Sequence, residues 1–293
     1  MKPKELISCI ITTFNRPDLV GSAIDSVLSQ TYENIELIVV DDCSKTSYDS
    51  AMANYNNDPR VTFIRNEINM GLSASRNNGV KHSNGSYIAF LDDDDIWLPN
   101  KIESQLKILQ NNSSYIACSS SHIESISKNI INHEVREYKL ADIYIENLIG
   151  PPSKILVRSE VFNKVSFNET AKHAEDWDFY LKLLEYGIIY SIKEPLIIYN
   201  TGHFERMSNG FASYTVEEIQ KKAYMTYVNK DKIGEANFNL RLTNYYFSNF
   251  KKRKNKLSFL IDVVKDVGFM TMMSVFTEKT LIIVKRKATN IIK

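Results

Sequence analysis

Four consecutive aspartates, Asp92-Asp93-Asp94-Asp95, follow directly on the apolar run Tyr87-Ile88-Ala89-Phe90-Leu91. Neighbouring carboxylates repel one another, and at a strand end partly removed from water each would take up a proton unless a cation neutralised it. A hard divalent metal that also bridges a diphosphate is the natural partner of such a group. The alternative is a solvated acidic turn that caps the next helix. Two more acidic pairs stand at comparable places. Asp41-Asp42 follows an apolar run over 35–40, and Glu175-Asp176 opens an amphipathic stretch. There a carboxylate either acts as a general base or decorates a helix N-terminus.

These groups can cooperate only if the chain brings their strand ends together. Short apolar, β-branched runs at 6–12, 35–40, 61–64 and 87–91 alternate with helical periodicity at 17–30, 48–55 and 73–82, with Pro17 in the first turn of the first helix. Strands alternating with helices predict a parallel sheet covered on both faces. In such sheets ligands bind beyond the carboxyl ends of the strands, so Thr12-Thr13-Phe14-Asn15, Asp41-Asp42 and the aspartate run are expected to face one crevice. Residues 114–205 are less regular, with strands near 115–120, 155–157, 188–192 and 196–200 and a helix over 176–186. From about residue 206 the pattern changes to helices at 217–228, 236–250, 257–264 and 270–284.

Five separated segments, in this order, resemble the family 2 glycosyltransferases of the GT-A fold. They are Ile7-Ser8-Cys9-Ile10-Ile11-Thr12-Thr13-Phe14-Asn15-Arg16, Ser26-Val27-Leu28-Ser29-Gln30-Thr31-Tyr32, Glu36-Leu37-Ile38-Val39-Val40-Asp41-Asp42-Cys43-Ser44, Asn69-Met70-Gly71-Leu72-Ser73-Ala74-Ser75-Arg76-Asn77 and the aspartate run. The resemblance covers roughly residues 6–205. It implies an α/β fold with a Rossmann-like, mostly parallel central sheet flanked by helices and followed by a C-terminal helical extension. Residues 1–205 would form the catalytic domain, with a nucleotide-binding half to about 113 and an acceptor-binding half from about 114; residues 206–293 would form a basic helical region.

The same resemblance implies a metal-dependent, inverting transfer of a single sugar from a nucleotide-diphosphate sugar, expected to be a UDP-sugar. The acceptor would be a saccharide or lipid-linked saccharide in surface polysaccharide synthesis, and the cofactor Mn²⁺ or Mg²⁺. On this basis Asp42 accepts a nucleobase N–H, Thr12 and Phe14 line the base pocket, and Arg76 contacts nucleotide or phosphate. Asp94 is the principal metal ligand and Asp92 reaches the ribose or metal-bound water. Asp95 supports the site or caps the next helix. Asp93 is grouped with the donor-binding residues by its place in the run, but it occupies the variable position and has no role of its own. Asp176 is the catalytic base, and His203 is a second candidate metal ligand. A catalytically inactive nucleotide-sugar-binding subunit of a synthase complex is the alternative, and the intact Asp92, Asp94 and Asp176 argue against it. Val165-Ser166-Phe167-Asn168-Glu169 departs from the family's Gly and Phe-Asp-Glu pattern on the acceptor side. The Gln-x-x-Arg-Trp signature of processive synthases is absent, so one sugar per encounter is expected.

Composition fits this frame. The 293 residues are 43% hydrophobic and 24% charged, as in soluble globular proteins, with a net charge of +1. That near-neutrality hides an asymmetry: residues 1–205 hold 19 Lys and Arg against 28 Asp and Glu, whereas 206–293 hold 17 against 7. A basic region interleaved with apolar runs such as Phe259-Leu260-Ile261 and Leu281-Ile282-Ile283-Val284 suits a helix lying on an anionic membrane surface. It also suits a helical module that forms a homo-oligomer, and no nucleic-acid partner is expected. Residues 1–5 are polar, and the apolar stretch over 6–11 is too short for a signal-peptide core or a membrane span. The expected location is therefore the cytoplasm, at or near the inner face of the plasma membrane. Cys9, Cys43 and Cys118 lack the paired spacing of a zinc site and read as reduced residues, with Cys9 in the core.

Overall fold

The computed structural model describes residues 5–131, 135–202, 213–248, 250–275 and 277. The chain divides into two compact units, the first formed by residues 1–143, 147–171 and 175–203, the second by 144–146, 172–174 and 204–293. The first unit is built on one ten-stranded mixed sheet. Its elements are β1 (Ile7–Thr13), α1 (Pro17–Leu28), β2 (Ile35–Asp41), α2 (Asp49–Met52), β3 (Val61–Arg65), α3 (Leu72–Lys81), β4 (Tyr87–Asp92), β5 (Ile96–Trp97), α4 (Lys101–Asn111), β6 (Tyr115–Glu124), β7 (Ile130–Ile131), β8 (Arg136–Tyr138), β9 (Leu156–Arg158), α5 (Glu175–Leu183) and β10 (Ile188–Tyr199).

The strand order is β3-β2-β1-β4-β9-β6-β10-β5, with β7 on β6 and β8 on β10. The β3-β2-β1-β4 block is parallel, as the alternating pattern predicts. β9 then enters antiparallel between β4 and β6, while β6 and β10 run parallel to one another. All seven residues of β1 are buried, which is what a central strand covered by helices on both faces requires. β1 lies between β2 and β4, the point where the chain order reverses and where open sheets form a crevice. Its register sets Thr13 beside Asp41 and Thr12 beside Asp92.

Two packing features fix what borders that crevice. A Cβ added to Gly79 on α3 would stand 2.5 Å from the Ile10 side chain, so only glycine lets this helix lie so close to β1. On the other side, α5 is anchored by an aromatic cluster. Phe179 stacks on Phe167 at 4.0 Å between ring centroids, and Phe90 of β4 meets Phe167 edge-on at 5.2 Å. Each of these buried rings contributes about 2 kcal/mol through area removed from water. Together they hold the first turn of α5 near the carboxyl end of β4.

The structure departs from the sequence reading in several places. The strands expected over 188–192 and 196–200 are one strand, β10, with register shifts around Pro195, which has no N–H for the ladder. β5 has no counterpart in the sequence reading, and the helix expected after the aspartate run is α4, whose N-cap position is Asn100 and not Asp95. α4 buries Lys101 and Gln105 among Ile102, Leu106 and Leu109, and two polar residues on the buried face blur its amphipathic pattern. Lys101 stands 4.0 Å from the Trp97 ring centroid and donates to Gln105 at 2.8 Å, while Gln105 donates to the Cys118 and Lys154 carbonyls.

The second unit holds α6 (Val216–Lys222), α7 (Tyr224–Val228), α8 (Lys230–Ile233), α9 (Glu235–Phe247) and α10 (Lys256–Val267). Thr215 and Glu218 form a reciprocal capping box at the start of α6. The expected single helix over 217–228 is divided at Ala223. α9 and α10 bury Phe238, Leu242 and Tyr246 and, from α10, Phe259, Val263 and Val267. The Tyr246 hydroxyl donates to Asp266, and the Arg253 guanidinium lies 3.4 Å from the Phe259 ring centroid. Residues 269–275 are helical, whereas the rest of the helix expected over 270–284, residue 277 apart, lies outside the described residues.

Candidate active site

The loop after β1 is organised by a relay of hydrogen bonds. The Arg16 N–H donates to the Tyr48 hydroxyl at 2.9 Å, Tyr48 and Thr13 share a 2.7 Å bond, and Thr13 Oγ1 donates to Asp93 Oδ2 at 2.7 Å. Asn15 and Cys43 both adopt left-handed backbone conformations, with φ of 56° and 61°, and Asn15 N donates to Ser44 Oγ. Strained residues persist where the surrounding structure over-determines them, and here they border the crevice. Phe14 projects from this loop 43% exposed, and Thr12 is buried.

Asp42 is buried, and its carboxylate is already engaged. Oδ1 accepts from Asn66 Nδ2 at 2.9 Å and the Met70 N–H at 2.8 Å, and Oδ2 accepts from the Gly71 N–H at 2.8 Å. Asp42 therefore shapes the 66–71 loop, and Oδ2 keeps lone-pair capacity for a further N–H. Asp41 beside it is committed to Arg65 at 2.6 Å and to the Ser44 N–H.

The four aspartates have four different environments. Asp92 accepts from Arg76 Nη2 at 2.7 Å and keeps 28% of its side chain exposed. Asp93 is turned inward onto Thr13 and onto Arg16 at 3.1 Å; burial pushes its carboxyl up to about 6 against the lowering effect of those two partners. Asp94 retains 25% exposure and meets Arg16 only at 3.5 Å. Asp95 is buried, which holds its carboxyl well above the usual carboxylate range, and it accepts from the Asn200 N–H at 2.9 Å. Only Asp92 and Asp94 thus keep substantial exposure within the run.

The donor chemistry of these two fits a hard divalent cation that takes the rest of its oxygens from substrate phosphate and water. Among the described residues no three His, Cys, Asp or Glu side chains are grouped to hold a metal by themselves, so a cage made wholly of those side chains does not fit. His203 lies outside the described residues.

Arg76 joins the two acidic motifs. It is 1% exposed, donates to Asp92, and reaches Glu175 Oε1 with Nη1 at 3.4 Å, while its guanidinium lies 5.2 Å from the Phe167 ring centroid. Burial acts to lower its pKa, but Asp92 and Glu175 outweigh burial and raise it. The guanidinium is thus committed to protein carboxylates, and its action on a bound donor would run through Asp92. Neighbouring Asn77 holds the 167–169 segment, exchanging bonds with the Phe167 backbone and donating to Glu169 at 2.9 Å.

Asp176 is half-buried in the first turn of α5. Its Oδ2 accepts from Asn147 Nδ2 at 2.7 Å, and its Oδ1 accepts from the Trp177 N–H. Ala174, just before the helix, has a φ of 57°. Tyr180, one turn on, is fully buried, and burial with the nearby Asp176 charge raises its phenol well above the usual value. The sequence did not point to Tyr48, Arg16 or Asn147. Asn147 stands just ahead of Gly150-Pro151-Pro152, which reads only as a turn.

The family described as Glycosyl transferase family 2 matches residues 8–169. The chain is 34% identical over 184 residues to the UDP-Glc:alpha-D-GlcNAc-diphosphoundecaprenol beta-1,3-glucosyltransferase WfgD of Escherichia coli, covering 61% of this chain and 70% of WfgD. It is 31% identical over 282 residues to an uncharacterized glycosyltransferase of Haemophilus influenzae, covering 88% and 95% of the two chains. Among solved structures, S. aureus TarS 1-349 in complex with UDP-GlcNAc superposes with a TM-score of 0.66 at 20% identity, covering 89% of this chain and 80% of that one.

Proposed function

The chain belongs to glycosyl transferase family 2, and from that premise we propose that it moves one sugar from a UDP-sugar to a saccharide or lipid-linked saccharide acceptor, with inversion at the anomeric carbon. The observation that carries this reading is the buried Arg76, which bridges Asp92 at the end of β4 to Glu175, the neighbour of Asp176 in the first turn of α5, with the partly exposed Asp94 two residues from Asp92. The UDP-sugar donor and the lipid-diphosphate acceptor in the name of WfgD, and the UDP-GlcNAc bound by TarS, support the substrate class.

In this proposal Phe14 offers an exposed ring for the base to stack on, Thr12 borders it, and Asp42 accepts the base N–H with the capacity left on Oδ2. Asp94, with Asp92 beside it, would hold Mn²⁺ or Mg²⁺. When bound, such a cation neutralises charge on the leaving diphosphate. Arg76 holds Asp92 at the crevice through its 2.7 Å hydrogen bond, and Asp93 and Asp95 brace the turn from inside. Asp176 takes the proton of the acceptor hydroxyl as that oxygen attacks from the side opposite the nucleotide. Asp176→Asn should leave UDP affinity within about twofold by calorimetry and stop turnover; substantial residual turnover would move the base elsewhere.

A membrane-surface role for the C-terminal region, with assembly of a surface polysaccharide as its setting, belongs to the same proposal. α10 exposes Leu257 and Ile261 while burying Phe259, Val263 and Val267; Lys252 and Lys254 are exposed just before it and Lys256 and Lys265 along it. Among the described residues no helix is long and apolar enough to cross a membrane. Flotation with phosphatidylglycerol-containing vesicles at moderate salt should carry the protein upward, and failure to co-float would remove this part of the reading.

A further inference from the structure

We infer that Asn147 is a positioning residue for Asp176, held in a single amide orientation by a loop that the buried Lys154 pins in place. The inference rests on the reading of Asp176 as the base, and its parts are all in the first unit.

An asparagine amide can be turned over without changing its shape, so its partners decide which end faces which group. Here Asn147 Oδ1 accepts two backbone N–H groups, from Ile149 at 3.1 Å and from Gly150 at 3.0 Å. An amide nitrogen cannot accept either bond. The oxygen is therefore fixed on the loop side, and Nδ2 is forced toward Asp176, to which it donates at 2.7 Å with a weaker second bond to the Gly150 carbonyl at 3.3 Å. The asparagine offers Asp176 a proton donor and nothing else.

The loop that carries this amide is itself restrained. Lys154 is fully buried and donates from Nζ to the Ile149 carbonyl at 2.7 Å, and the Tyr138 hydroxyl donates to the Leu148 carbonyl at 3.2 Å. Gly150 has a φ of 92°, and a Cβ there would stand 3.1 Å from Lys154 Nζ, so the turn and the lysine are fitted to one another. Burying a lysine side chain costs free energy. Its place under this loop gives that cost a purpose: it fixes the backbone on which Asn147 sits.

Two consequences follow for the base. One carboxylate oxygen is held by Asn147 and the other by the Trp177 N–H, so the carboxylate plane is set before an acceptor arrives. A hydrogen bond donated to the ionised form also favours that form. Arg76 and Tyr180 also interact electrostatically with this carboxylate. Arg76 spends Nη1 on Glu175 and Nη2 on Asp92.

The test compares wild type, Asn147→Ala, Asn147→Asp and Asp176→Asn. Asn147→Asp keeps the oxygen that accepts Ile149 and Gly150 but replaces the donor by a second carboxylate, so it separates a positioning role from a loop-holding one. The readouts are release of UDP from UDP-N-acetylglucosamine and UDP-glucose with Mn²⁺, UDP affinity by calorimetry, and the Asp176 carboxyl titration by carbon NMR, assigned through Asp176→Asn. Expected are a fall in kcat of tenfold or more in both Asn147 variants, KM and UDP affinity within about twofold of wild type, and an Asp176 titration moved to higher pH. An unmoved Asp176 titration in both variants, or wild-type kcat in both, overturns the inference. If Asp176→Asn itself keeps wild-type turnover, the assignment of the base fails instead, a result separate from any Asn147 outcome. The NMR titration decides the matter even if neither sugar nucleotide is turned over.

Discussion

Replacing Arg76 by Met removes the cation that joins Asp92 to Glu175 and nearly preserves side-chain length. Arg76 is 2% exposed at its side chain, Glu175 10% and Asp92 28%, so Glu175 would be left almost wholly buried without its partner while Asp92 could turn toward water. Breaking a buried pair by deleting one partner costs about 3–5 kcal/mol. The 3.4 Å contact to Glu175 and the partial exposure of Asp92 place this case near the lower end, about 3 kcal/mol. In a unit of roughly 200 residues that lowers Tm by about 6–12 °C. Calorimetry of the full chain reads this directly, on the transition that UDP shifts upward. Adding Glu175→Gln to Arg76→Met should restore about half of the loss, because it removes the stranded charge. A Tm within 2 °C of wild type for the single variant would refute the bridge.

Phe14→Ala should weaken UDP binding by about 5- to 160-fold, since base–aromatic stacking is worth about 1–3 kcal/mol; unchanged affinity would take Phe14 out of the base pocket. Asp94→Ala should abolish the Mn²⁺-dependent part of UDP binding in calorimetry, and retained metal dependence would move the ligand elsewhere. Lys101 carries a stability signature: burial lowers its pKa from 10.5 to about 7. Between those values the unfolded chain binds the extra proton, so stability rises with pH, and this group adds on the order of 3 kcal/mol between pH 7 and 10. Lys101→Met should flatten that rise in urea unfolding; an equal rise in both proteins would contradict it.

Much of this architecture is legible in the chain itself. The β3-β2-β1-β4 block follows from four apolar runs spaced by helical periodicity, because strands buried on both faces must be apolar throughout. The gathering of Thr12, Asp42 and Asp92 follows from the rule on strand ends, and the register pairs Thr12 with Asp92 directly. What was not legible depends on long-range partners. Nothing local in Asn147 points to a carboxylate 29 positions away. Arg76 looks from its sequence like a free donor-binding cation, and only the fold reveals that Asp92 and Glu175 already hold it. The four aspartates look alike in sequence, and burial alone separates the inward Asp93 and Asp95 from the outward Asp92 and Asp94.

Sugar transfer from a nucleotide diphosphate is tested most directly by incubating the full chain with a panel of UDP- and GDP-sugars and Mn²⁺ and measuring nucleotide release. The expected result is release from one UDP-sugar above all others, abolished by chelation and by either Asp94→Ala or Asp176→Asn. Release from none of the panel, or release that survives both substitutions, would contradict a sugar-transfer site at Asp92, Asp94 and Asp176.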